Sequence, residues 1–254
     1  MGRRRPVRRT WGARRFDSLD TIRGITLISM IAYHASWDLV YLYGVDWPFY
    51  QSAGAYLWQQ SICWTFILLS GYCFHLGSHR LKRGLMSFGG GLLVSLVTVF
   101  AMPDSPIICG VLTLLGTATL LTIPLERVLE RIPPKVGFVG SFLLFCLLRN
   151  VNEGFLGFER WNLLALPDWL YRNTFTAFFG FPHEAFYSSD YFSLLPWLFL
   201  FWTGWYLYRL RRPDRGGVSL PVVTAMGRRS LLIYLLHQPV IYGVLMGLDF
   251  LNIL

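Results

Sequence analysis

The chain has 254 residues, 54% of them hydrophobic and only 15% charged, whereas a soluble domain carries about 25% charge. That much apolar surface does not fit inside one soluble core of this length, and its natural solvent is a bilayer. The formal charge of +9 does not point to nucleic acid. The cations gather in short stretches between long apolar runs, as in cytoplasmic loops under the positive-inside rule, and no basic face is interleaved with stacking aromatics.

Residues 1–17 form a basic segment, MGRRRPVRRTWGARR and two more residues, read as cytoplasmic and near anionic lipid headgroups. Residues 18–254 are one membrane domain. A hydrocarbon core of about 30 Å needs about 20 helical residues, and seven candidates follow. The first runs from near Leu19 to Leu42. The second, near Tyr56 to Leu76, ends in the basic turn SHRLKR. The third, near Gly84 to Met102, carries GGG at 89–91, which permits close helix contact. The turn PDSP leads into the fourth, Ile107 to about Leu125. ERVLERIPPK is a charged inner loop whose double proline stops any helix. The fifth, Val136 to about Arg149, is short. The sixth runs from Ser193 to about Leu210 and the seventh from near Arg229 to near Leu248.

Between spans five and six lies an aromatic segment of mixed polarity, 150–192. It is read as an outer loop with interfacial or re-entrant helix, since Trp and Tyr favour the headgroup level. The fold class expected is thus all-α, a polytopic bundle of about seven spans with a cytoplasmic N-terminus. All the basic stretches then lie on one side. Cys63, Cys73, Cys109 and Cys146 fall within spans and form no C-x-x-C pair, so they are read as packing residues. No metal-ligand cluster is expected.

Against this background the polar residues of the spans stand out. RGITLISMIAYHASWD holds Arg23, His34 and Asp38. Arg23 and His34 are 11 positions apart, which returns to within about 20° of one helix face over a rise of about 16 Å. Asp38 lies one turn beyond His34, close enough to steady an imidazolium. Asp20 sits three residues before Arg23. The last span holds His237, Gln238 and Pro239, read as a second wall of the same polar cavity. Asp190 and Tyr191 fall at the outer mouth, where Asp190 also reads as a helix cap. Ionisable residues within spans usually face a bundle interior or a wet cavity, although Arg23 alone would read as a snorkelling cation.

SLDTIRGITLISMIAYHASWD, SSDYFSLLPW and YLLHQPVIY together resemble the catalytic-domain family of heparan-α-glucosaminide N-acetyltransferase, in its short bacterial form, within the transmembrane acyltransferase superfamily. Asp38 stands where that family's His-Ala-Ser-Trp string continues with Asn. Arg23 and His34 also resemble the Arg-x10-His signature of related membrane O-acyltransferases. The resemblance implies transfer of an acyl group, usually acetyl from acetyl-CoA, across the membrane to a hydroxyl or amine of a saccharide or glycolipid. By that analogy His34 is the essential histidine and Arg23 serves the acyl-CoA co-substrate; beside it the residues themselves suggest Asp38 as the catalytic partner of His34, and His237 and Gln238 as further groups toward the co-substrate. Asp190 and Tyr191 fall to the acceptor. No permanently bound cofactor and no nucleic-acid partner is expected, a homo-oligomer is compatible with the sequence, and a bacterial plasma membrane is the expected location. The rival reading is a transporter or export subunit for a lipid-linked or sugar substrate, in which the polar groups line a path. A third is a scaffold without catalysis.

Overall fold

A computed structural model describes residues 16–214, 217–251 and 253. The basic N-terminal residues 1–15, and with them their expected cytoplasmic placement, lie outside the described residues. Of the described residues, 72% are helix and 4% strand. Helices α1 (Asp17–Tyr41), α2 (Ala53–Tyr72), α3 (Arg80–Ala101), α4 (Val111–Arg131) and α5 (Pro134–Leu147) precede a hairpin, β1 (Phe155–Phe158) and β2 (Trp161–Ala165). Then come α6 (Thr174–Phe179), α7 (Leu194–Leu210), α8 (Pro221–Arg228) and α9 (Ser230–Phe250).

Helices therefore occupy all seven expected places. Three of them, α3, α4 and α9, are long and apolar enough to cross a membrane. α3 has 22 residues, a length of about 33 Å, which matches the hydrocarbon core. Only 11% of the most apolar 18-residue stretch of α3 and of α9 is buried, against 39% of that of α4. Apolar helix faces left open in this way need lipid as their partner. α4 does not stop at Leu125. ERVLER continues the helix to Arg131, and the prolines at 133 and 134 end it.

α7 is the pillar of the core. It is apolar all round, as a helix enclosed by others must be, and Leu200, Phe201 and Trp205 are fully buried. It packs between α2 and α5. The approach to α2 depends on two glycines. A Cβ on Gly71 would collide with the carbonyl of Phe201, and one on Gly204 with that of Leu68. Of the expected small-residue stripe in α3, only Gly91 serves close contact, against Thr113 of α4; Gly89 faces open space.

The cations mark one end of the bundle. There Arg80 meets Glu126 at 2.7 Å, Arg228 meets Asp17 at 2.6 Å, and Arg209 donates to the carbonyls of Leu129, Glu130 and Ile132 at the end of α4. The opposite end carries the hairpin. The expected interfacial helix between α5 and α7 is reduced to the six residues of α6, and β1 pairs antiparallel with β2 instead. Every residue of β2 is exposed. Arg149 holds the hairpin turn to the bundle, with Nε 3.2 Å from Glu159 and Nη2 donating to Tyr56 and Gln60.

Candidate functional site

α1 and α9 run side by side in the same direction, and α8 sets their register. Thr21 and Thr224 share a hydrogen bond of 2.7 Å, and Gly24 and Gly227 bring the two backbones together. Ten residues beyond Gly24 lies His34, and ten beyond Gly227 lies His237. The two imidazoles meet there, with ring centroids 5.0 Å apart. One turn further along α1, Asp38 is fully buried and accepts from Gln238 Nε2 through both carboxylate oxygens at 2.9 Å.

The expected contact between Asp38 and His34 is not formed. Among the described residues His34 has no ion pair with it, because both Asp38 oxygens turn to α9. Asp38 joins the two helices, and the neighbour of His34 is His237. His237 and Gln238 thus stand in the same polar cluster as His34. Neither lines the larger cavity described below.

His34 lines a cavity of about 50 Å³ together with Gln59 and Cys63 of α2, Tyr234 of α9 and Asp190. Asp190 reaches it because the chain before α4 dips into the bundle. α4 begins only at Val111, beside the middle of α3, where Ser87 donates to the Leu112 carbonyl. Residues 106–109 and 188–192 descend together, tied by Ser189 N–H to Pro106 O and Phe192 N–H to Cys109 O. The Asp190 carboxylate comes to rest against Gly110, at the start of α4, where the helix dipole favours negative charge. Tyr234 Oη approaches Oδ2 at 3.5 Å. Asp190 does not cap the helix it precedes in sequence; Ser193 holds that position in α7. Tyr191 turns away from the cavity. Its hydroxyl donates to the Ala177 carbonyl and its ring packs on Phe186, which steadies the loop that carries Asp190.

A second cavity of about 230 Å³ lies between α2, α3, α4 and α9. Phe66, Val111 and Tyr234 belong to its wall and to the wall of the smaller one, so the two adjoin. Its lining is mostly apolar, and Arg83 supplies the cation. Arg23, the cation expected there, instead bonds Asp20 at 3.0 Å and Cys73 Sγ at 3.3 Å. Arg83 donates to the Phe74 carbonyl, one residue along, so the two guanidiniums stand side by side. Sequence reasoning passed over Arg83 as one more cation of a basic turn. The signal was its place at the edge of the apolar run, one helical turn before Ser87, which lines the same cavity.

Histidine, carboxylate and hydroxyl groups thus converge on a small chamber deep in an apolar bundle. A wider, greasy chamber with a guanidinium adjoins it. Such a site suits proton removal from a hydroxyl or amine, beside a compartment for a long anionic co-substrate.

The family described as "Heparan-alpha-glucosaminide N-acetyltransferase, catalytic" matches residues 15–239. No curated protein and no solved structure matches the chain.

Proposed function

The chain belongs to the heparan-alpha-glucosaminide N-acetyltransferase catalytic family and is a membrane protein, and from that premise we propose that it moves an acyl group, acetyl first among them, from cytoplasmic acyl-CoA to a saccharide or glycolipid on the far side. The observation that carries the proposal is the junction of two cavities. His34 and Asp190 share the smaller one, Arg83 lines the larger, and Phe66, Val111 and Tyr234 form their common wall.

All seven helices cross in this reading, with the basic end in the cytoplasm of a bacterial cell and the hairpin outside. The donor enters at the basic end. Arg83, with Arg23 beside it, attracts the phosphates, and the pantetheine arm lies in the apolar chamber. The thioester carbon then stands near His34. An acceptor hydroxyl or amine arrives from the hairpin side and is oriented by Asp190. His34 takes its proton as the new bond to the acyl carbon forms; the carbon–sulfur bond breaks and the leaving thiolate recovers a proton. Asp38 acts through Gln238, holding α1 against α9 so that His34 keeps its place.

Purified protein in nanodiscs, given labelled acetyl-CoA and glucosamine, tests this. His34→Gln keeps the ring's volume and hydrogen-bonding reach but cannot act as a base. Turnover is expected to fall about 10²–10⁴-fold, with thermal unfolding unchanged. Full turnover in His34→Gln would refute the assignment. A transporter would use the same two chambers as a path; it predicts sugar flux into vesicles with no acetyl-CoA consumed.

A further inference from the structure

The acyl-transfer reading gives His34 a proton to hold in an apolar interior and does not say how that charge is borne. His237 supplies an answer. Its Nδ1 faces the backbone carbonyl of Tyr234, which can only accept, so Nδ1 carries the hydrogen. The neutral ring therefore presents a lone pair at Nε2. His237 is 9% exposed, and its Nε2 is buried with no hydrogen-bond partner.

Its neighbours add to the imbalance. Gln238 spends its amide hydrogens on Asp38, and its Oε1 is also buried without a partner. Pro239 lies inside α9 and has no N–H, so the carbonyl one turn before it, at Leu235, loses its helical donor. Among the described residues two buried side-chain acceptors, His237 Nε2 and Gln238 Oε1, thus lack a partner on one stretch of α9, beside a carbonyl that Pro239 deprives of its helical donor. The ring of His34 stands against that of His237, with centroids 5.0 Å apart and the planes tilted by 58°, and no hydrogen bond joins them in the resting arrangement. The other ionisable groups nearby include Tyr33, with its ring 5.9 Å from that of His34, Cys63, Asp190 and Tyr234 on the same cavity, and Asp38 one turn along α1.

We propose that His34 and His237 form a proton-passing pair, in which His237 Nε2 accepts the proton that His34 takes from the acyl acceptor. The inference rests on the acyl-transfer reading. The acceptor X–H bond breaks as the X–C bond forms, and His34 becomes an imidazolium. A proton from its other ring nitrogen moves to His237 Nε2, so the charge is shared between two rings. When the carbon–sulfur bond breaks, the proton returns through His34 to the CoA thiolate. Both imidazoles end neutral, as they began. His237 Nε2 is thereby partnered only while the positive charge is present, which favours the transition state over the ground state.

Two conservative variants separate the relay from a scaffolding role. Asparagine places an amide where Nδ1 stands, so His237→Asn can keep the bond to Tyr234 while losing Nε2. In nanodiscs with acetyl-CoA and glucosamine, kcat is expected to fall on the order of 10²-fold while KM for acetyl-CoA changes less than about twofold. His237→Gln, which offers an oxygen near Nε2 but no base, should show the same loss. Wild-type kcat in either variant would overturn the relay. A third measurement does not need turnover. Nitrogen-15 NMR of histidine-labelled protein should show the Nδ1–H tautomer at His237, and His34→Gln should move the His237 Nε2 resonance. An Nε2–H tautomer, or a resonance indifferent to His34, would overturn the pairing even if acyl transfer stands. An inactive wild type with that tautomer and coupling intact would instead refute the acyl-transfer reading.

Discussion

Asp38 is buried to the last atom, and Gln238 supplies the hydrogen bonds to its side chain in the described residues. Removing that donor leaves a carboxylate with neither water nor partner. Gln238→Leu should therefore destabilise the protein by about 1.5–3 kcal/mol, seen as a lowered thermal unfolding temperature in detergent. An unchanged temperature would mean that another group serves Asp38. The cations divide differently. Arg23 is engaged by Asp20 and Cys73, whereas Arg83 faces the wide chamber. Arg83→Gln should raise KM for acetyl-CoA about tenfold or more, as loss of a charge-assisted contact does, and Arg23→Gln should raise it less. The reverse order would return Arg23 to the co-substrate. At this scale the sequence singled out His34 and His237 because an ionisable side chain breaks an apolar run there, and Asp190 as a polar group at the head of one. It was silent on pairing. Asp38 meets a residue 200 positions away, and nothing near Asp38 announces that its partner is not His34. Arg83 was hidden among cations that a basic turn explains without it.

Elements were legible to the extent that length and apolarity define them. Helices fall at the seven places where apolar runs put them, the fifth of only 14 residues, and the double proline after Ile132 ends α4 as proline must. The hairpin was not legible. Its turn is Glu159–Arg160, with Glu159 at φ +53°, and it lacks the Asn-Gly or Asp-Gly pair that advertises a two-residue turn. Tertiary contacts hold it: Tyr56 donates to Glu159 at 2.6 Å, and Arg149 completes the cluster. α8 escaped because it is eight residues long and gives no membrane-length signal, yet it sets the register of α1 and α9. The α2–α7 contact yields a sharp contrast. Gly71→Val must push α2 from Phe201 and should lower the unfolding temperature markedly, whereas a Cβ at Gly140 of α5 meets nothing. Gly140→Ala should stabilise by about 0.5–1 kcal/mol through helix propensity alone. Equal behaviour of the two variants would mean that the close approach is not maintained in the membrane.

The molecule as a whole is a bundle whose rim and centre have different solvents. α7 is enclosed, α3 and α9 are open, and polar groups that neither lipid nor core would favour collect where two cavities adjoin. Composition announced the bilayer, because apolar surface beyond what a core can hide must go somewhere. It could not announce the re-entrant descent of residues 106–110 and 188–193, which depends on pairing between segments about 80 residues apart. That descent carries Asp190 to His34. In the proposed reaction, a donor from the basic end and an acceptor from the hairpin end therefore meet at one imidazole. The direct measurement uses sealed proteoliposomes, with the protein oriented basic end inward and acetyl-labelled acetyl-CoA trapped within. Glucosamine is added outside. The account predicts labelled N-acetylglucosamine in the outer medium, lost in His34→Gln, with the vesicles still tight. Product that forms only when both substrates share one side, or that persists without His34, would contradict it.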